Sequence, residues 1–249
     1  MKLAKLAKDD GEVVRAVRER DFYLGNLFLE TTRRCNLLCP DCYKDEAEPV
    51  DVYEGVLETA VETFPRIGVV GVLGGESTLN AEGMCRLLDA LKYNKTLFEK
   101  FLVVINGTRF PREYFEILDA IGALRGNQLG TKVRVSNDER HDKAFKRRGF
   151  DKMWTAEKIS ECEKKYKHVE IHYPRLEVAP IKQSTENMKF LKERRTPFSR
   201  GVTLDNFTVD AKGNVTGKAV TYRGGDQSNF GNVLREPVPD ILLNQSHVI

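Results

Sequence analysis

Apolar side chains recur along this chain in two rhythms, and their alternation gives the first expectation. Residues 26–31 (NLFLET), 68–73 (GVVGVL) and 101–105 (FLVVI) are short, nearly unbroken apolar runs, and residues 132–136 (KVRVS) alternate. Runs of this length rich in β-branched and aromatic residues read as strands, the unbroken ones as strands inside a sheet. Between them the apolar spacing lengthens to three and four residues. Residues 50–63 carry helical spacing and stop near Pro65. Asn80 predicts a helix cap, with Gly83 in the first turn of a helix reaching about residue 93. Pro111 suits the first position of a helix over 111–123. A long polar helical stretch over 141–167 follows, then short strand candidates at 168–172 and 176–178. In the first twenty residues Leu3, Leu6, Val13, Val14 and Val17 share one helical face.

Strands alternating with helices of this length predict βαβ units and a parallel sheet. Five or six units precede Pro197, too few for an eight-unit barrel. A partial barrel and an open doubly wound sheet both fit. The tail differs. Residues 202–209 and 214–220 read as strand, turn and strand around Asp210-Ala211-Lys212-Gly213, and residues 222–230 form a polar loop. The expected organisation is an amphipathic helix over 1–20, a main unit over 21–199 and a small extension over 200–249.

Composition narrows the class. The chain has 249 residues, 41% hydrophobic and 31% charged, with 40 Lys plus Arg against 37 Asp plus Glu. A formal charge of +3 is well short of a dedicated nucleic-acid binder. No apolar run approaches the roughly 18 residues of a membrane helix, and the charged first residues lack a secretory apolar region. The expectations are a cytoplasmic location, no membrane partner and no nucleic-acid partner.

The cysteines change the picture most. There are five, and three of them, Cys35, Cys39 and Cys42, fall within eight residues at C-x3-C-x2-C spacing. An odd number in a chain without a signal argues against a disulfide framework. Three thiolates can hold three irons of a [4Fe–4S] cube and leave the fourth open. A zinc site with Cys85 or His172 as fourth ligand is the alternative, although structural zinc usually takes paired C-x2-C units. Cys85 lies among Met84, Leu87 and Leu88 and reads as core, while Cys162 has no assigned role. The second constellation is Gly74-Gly75-Glu76 at the end of the second strand, where α/β sheets bind ligands. Two glycines admit a close backbone approach, and a carboxylate there suits an ammonium group.

In this order and spacing the two constellations resemble the radical S-adenosylmethionine superfamily, over about residues 26–180. The resemblance implies an α/β fold, a partial (β/α)6 TIM-like barrel with a small C-terminal β-hairpin extension. It implies that Cys35, Cys39 and Cys42 bind a [4Fe–4S] cluster, and that Gly74, Gly75 and Glu76 hold the methionine ammonium of S-adenosyl-L-methionine. Residues 104–108 (VINGT) look like the family's third-strand segment, which places Asn106 at the cofactor. Residues 135–138 (VSND) look like its fourth-strand segment, which places Ser136 and Asp138 near the ribose. A basic residue among His141, Arg147 and Arg148 would pair with the methionine carboxylate. The residue before the third cysteine packs near the adenine in that family; here it is Asp41, with Tyr43 next to that cysteine. Residues 169–174 (VEIHYP) are the candidate adenine contact after the fifth strand.

The tail resembles the SPASM or twitch extension of peptide-modifying members, but no cysteine follows Cys162, so one cluster is expected. The implied activity is reductive cleavage of S-adenosylmethionine to a 5′-deoxyadenosyl radical that takes hydrogen from a peptide, protein or small metabolite. A flavodoxin or ferredoxin would donate the electron.

Overall fold

Every predicted strand within the described chain forms, and all of them join one sheet. The computed structural model describes residues 15–39, 42, 48–124, 127, 129–151, 154–173, 202–216 and 229–244. The strands are β1 (Phe22–Glu30), β2 (Arg66–Leu73), β3 (Leu97–Ile105), β4 (Thr131–Val135) and β5 (Val169–His172). They alternate with α1 (Val56–Thr63), α2 (Ala81–Tyr93), α3 (Arg112–Gly122), then α4 (Glu139–Arg148) and α5 (Ala156–Lys165) between β4 and β5. Each strand from β1 to β5 pairs in parallel with the next. The strand order never reverses across these five. Right-handed crossovers that always step the same way put their helices on one face, whereas a doubly wound sheet requires a reversal.

The tail continues this sheet. β6 (Val202–Val209) pairs in parallel with the other edge of β1. The antiparallel strands β7 (Asn214–Thr216) and β8 (Asn229–Asn232) follow it, and α6 (Val238–Asn244) closes the described chain. The turn between β6 and β7 is the one its residues dictate. The Asp210 carboxylate accepts from the backbone N–H of Lys212 and Asn214, and Gly213 takes φ +87°. Asn232 then donates to the Lys212 carbonyl at 2.9 Å and fastens β8 to the turn.

Element ends differ from the pattern where a single residue intervenes. The helix expected over 50–63 begins only at Val56, because Gly55 precedes it at φ +81°. The polar stretch over 141–167 is two helices, since Gly149 ends α4 at φ +68° and Thr155 caps α5 through its side chain. All three apolar strand runs proved too short: β1 starts at Phe22, β2 at Arg66 and β3 at Leu97. Asn80 caps α2 as expected, accepting from the Gly83 N–H at 3.0 Å. The strand expected at 176–178 and most of the N-terminal helix lie outside the described residues; residues 15–18 are helical. No helix among the described residues is long and apolar enough to cross a membrane.

The two faces of the sheet are unlike. Cross-strand rows such as Leu27–Val70–Phe101 and Leu29–Val72–Val103–Val133 face the helices. They form one core with Leu57, Val61, Leu87, Leu91, Leu118 and Ile121. On the opposite face Asn26, Phe28 and Glu30 of β1 are buried. Lys100, Leu102 and Val104 of β3 and Lys132 and Arg134 of β4 are only partly buried there, and Glu170 and His172 of β5 are exposed. The glycines of β2 serve this second face. A Cβ on Gly68 would stand 2.3 Å from the Tyr23 hydroxyl, and one on Gly71 would stand 2.4 Å from the Phe28 ring.

Candidate functional site

Parallel strands end together, so the loops after β1, β2, β3 and β4 share one edge of the sheet. Those loops carry, in turn, Cys35, Cys39 and Cys42; Gly74, Gly75 and Glu76; Asn106; and Ser136 with Asp138. Asp41 and Tyr43 lie outside the described residues.

The cysteine loop is held from three sides. From β2, the Gly75 N–H donates to the Thr32 carbonyl at 2.9 Å and the Glu76 N–H to the Arg34 carbonyl at 2.7 Å. This contact needs bare α-carbons. A Cβ on Gly75 would stand 2.0 Å from the Arg34 carbonyl oxygen, and one on Gly74 would stand 2.5 Å from that of Thr32. Gly74 also sits at φ +143°. The close approach that the two glycines permit is thus made by the cysteine loop's own backbone.

From β3, the Asn106 amide donates to Asn36 at 2.9 Å and lies 3.9 Å from the Cys35 sulfur. Asn36 in turn donates to the Thr108 hydroxyl at 2.8 Å. From α4, Ala144 and Phe145 cover the fully buried Leu37, with Cys35 and Cys39 packed on the same small cluster. Arg147 donates to the Leu38 carbonyl. Leu38 takes φ +52° and so turns the chain between the first two cysteines.

The chemistry of the three thiols follows from this packing. Cys35, Cys39 and Cys42 are partly buried and unbridged. Burial pushes the Cys39 thiol up to about 12, and the nearby Cys35 and Cys42 push it the same way, against the pull of Arg147. A thiol raised this far ionises only beside a cation, and a bound metal deprotonates its thiol ligands. The donor set therefore suits a soft, thiolate-bound centre such as an iron–sulfur cluster. Among the described residues no three His, Cys, Asp or Glu side chains converge on one point as the ligands of a single ion do. Cys85 packs from α2 against the main core and His172 is exposed on β5, so neither joins the loop as a fourth ligand. Cys162 is buried in that core from α5, where burial pushes its thiol up to about 12.

Glu76 ties two loops together. Its side chain is 1% exposed. One carboxylate oxygen accepts from the Asn106 N–H at 2.6 Å and the other from the Thr78 hydroxyl at 2.5 Å. Burial raises its pKa to about 7 even against these hydrogen bonds. A neutral or half-ionised carboxyl at this place is poised to respond to an approaching cation.

After β4, Asp138 caps α4. Its carboxylate accepts from the N–H groups of Arg140 and His141 and from His141 Nδ1, all at 2.9–3.0 Å. Burial pushes its pKa up, but the His141 hydrogen bonds and charge outweigh this and hold it down at about 2. Asp138 thereby fixes the His141 ring. Asn106, Ser136, His141 and Trp154 line a narrow cleft of about 10 Å³, space for about one water centre. Trp154 is 5% exposed, and its indole N–H has no hydrogen-bond partner among the described residues. A larger groove of about 450 Å³ lies between α1 and α2, where Arg86 is already paired with Glu58 at 3.0 Å. It carries none of these groups.

Asn36, Leu37 and Thr108 hold the site together, but the first two are unspecified positions of the cysteine motif and Thr108 ends the 104–108 segment with no role read from it. A polar and an apolar residue inside a loop give no sequence signal until β3 and α4 are placed beside them. No protein-family model matches the chain, and no curated protein matches it.

Proposed function

We propose that the protein is a radical S-adenosylmethionine enzyme whose parallel sheet curves as a partial (β/α)6 barrel. The observation that carries this reading is the shared edge. The cysteine loop, Gly74-Gly75-Glu76, Asn106 and Ser136 with Asp138 come from four successive strands and meet there. Cys35, Cys39 and Cys42 would hold a [4Fe–4S] cluster, and Glu76, Asn106, Ser136 and Asp138 would face the nucleoside and amino-acid parts of S-adenosylmethionine. When bound and reduced, the cluster supplies the electron that breaks the cofactor's sulfonium bond and starts hydrogen abstraction.

The chain's own residues do the rest. Gly74 and Gly75 clamp the cysteine loop to β2, and Leu37 and Arg147 clamp it to α4, so three ligands on a short loop keep a fixed relation to the sheet. Glu76 holds the β2 and β3 loops in register. Asp138 keeps the His141 ring against the cleft, and Trp154, held edge-on by Phe110, lines it just before α5. S-adenosylmethionine would need more room than this cleft gives, and the three thiols would have to converge to share one cluster. An ammonium beside Glu76 would lower its pKa from about 7 by favouring the charged carboxylate.

The test is anaerobic reconstitution with iron and sulfide, followed by dithionite and S-adenosylmethionine. A brown protein that releases methionine and 5′-deoxyadenosine supports the proposal. A colourless protein that retains one zinc and releases neither refutes it.

A further inference from the structure

The face of the sheet turned away from the described helices carries a ladder of cations. Lys132 and Arg134 alternate with buried Val133 on β4, so both point away from the helices. Lys100 stands on the same face of β3, whose register sets Leu102 beside Lys132 and Val104 beside Arg134. Lys132 pairs with Glu170 on β5 at 2.9 Å. Lys100 and Arg134 have no hydrogen-bond or ion-pair partner among the described residues.

Their setting makes this unusual. Burial lowers the Lys100 pKa and the neighbouring Lys132 lowers it further, with Glu170 acting against them. Burial likewise lowers that of Arg134, and Asp138 raises it. A cation taken partly out of water without a partner is costly. Elsewhere comparable cations are matched: Arg33 with Glu48, Arg34 with Asp51, Arg66 with Asp21 and Arg86 with Glu58. Side chains two residues apart on a strand stand about 7 Å apart along it, and the diagonal to the next strand is about 7–8 Å. The three cations therefore climb in similar steps, ending at Arg134, one residue before the end of β4 and next to the edge that holds Ser136 and Asp138. Leu102 and Val104, partly buried between them, add an apolar flank.

We propose that this face is a binding site for a ligand with two or more oxyanion groups, phosphate or carboxylate, seated along Arg134, Lys132 and Lys100. The site stands on the sheet alone; that its ligand is the enzyme's substrate rests on the function proposed above. Arg134 offers a planar fork to one oxyanion, and the lysines offer point charges to the next.

Isothermal titration with inorganic pyrophosphate, inorganic phosphate and citrate tests it, on the chain with and without reconstituted iron. Pyrophosphate or citrate is expected to bind about tenfold or more tightly than phosphate, because each reaches two cations at once. Whichever of the two binds more tightly identifies the ligand as phosphate-based or carboxylate-based. Arg134→Gln and Lys100→Gln should each weaken binding about tenfold, Arg134→Lys should restore part of it, and Lys158→Gln on α5 should leave it unchanged. Unchanged melting temperatures show that the variants fold. Binding that ignores Arg134→Gln and Lys100→Gln, or no binding of either polyanion, overturns the proposal. Because the site needs no iron, its failure and the failure of the cluster are read separately.

Discussion

The two faces of one parallel sheet have been built for different work. Toward the helices the cross-strand rows from β1 to β5 are buried and apolar except at Thr131, whose hydroxyl donates to the Leu118 carbonyl, and that face carries the stability. Away from them, the face is buried at β1 and opens toward β4 and β5, with Lys100, Lys132 and Arg134 spaced between Leu102 and Val104. A sheet used only as a scaffold would not leave cations partly buried on one side. Under the two proposals above, the second face and the carboxyl edge would form one functional region, backed by a face that only packs.

The largest expected effect sets the faces directly against each other. Phe101 and Leu102 are neighbours on β3 that point to opposite faces. Phe101→Ala should cost about 3–5 kcal/mol, because it leaves a cavity in a sealed core. Leu102→Ala on the open face should cost about 1 kcal/mol. Chemical denaturation measures both, and equal losses would break the distinction.

The edge between the faces should report itself through pH. The folded pKa of Glu76 is raised from 4.5 to about 7. Its contribution is present below pH 4.5 and is lost as pH rises through about 7, a loss on the order of 3 kcal/mol. Glu76→Gln should flatten stability across that window, since a neutral amide can still accept from Asn106 and bond to Thr78. Asp138 acts with the opposite sign. Its folded pKa lies at about 2, so its contribution is present above pH 3.8 and lost as pH falls through 2. Asp138→Ala should cost about 1–2 kcal/mol at neutral pH through the lost cap of α4. It should also free the His141 ring, visible as moved and sharpened His141 ring resonances in NMR.

The smallest effect belongs to the outer rim of the open face. Glu170→Gln removes the partner of Lys132, and an exposed pair of this kind is worth about 0–1 kcal/mol. Stability should barely move, while polyanion binding should strengthen because Lys132 is released.

The fold was largely legible because its strands are apolar runs and two of its helices have marked starts at Asn80 and Pro111. The break at Gly149 was missed because the polar residues on both sides keep a helical rhythm, and only the left-handed conformation of the glycine ends it. The placement of β6 against β1 was not legible, since strand pairing at this distance in sequence leaves no local trace. At the site, cysteine spacing and Gly-Gly-Glu could be read from the sequence. The contact between them could not. Gly74 and Gly75 read as openings for a ligand, and their nearest neighbours are the Thr32 and Arg34 carbonyls. Nor could the tie from Asn106 through Asn36 to Thr108, which exists only once two loops share an edge.

The central claim is that the carboxyl edge holds an iron–sulfur cluster through three named thiols, while Cys85 and Cys162 belong to the core. Iron and sulfide analysis of five single Cys→Ala variants after anaerobic reconstitution tests it most directly. The account predicts about four irons per chain in the parent, Cys85→Ala and Cys162→Ala, and loss of the cluster in Cys35→Ala, Cys39→Ala and Cys42→Ala. A full iron complement in any of those last three, or its loss in Cys85→Ala with the fold intact, would contradict it.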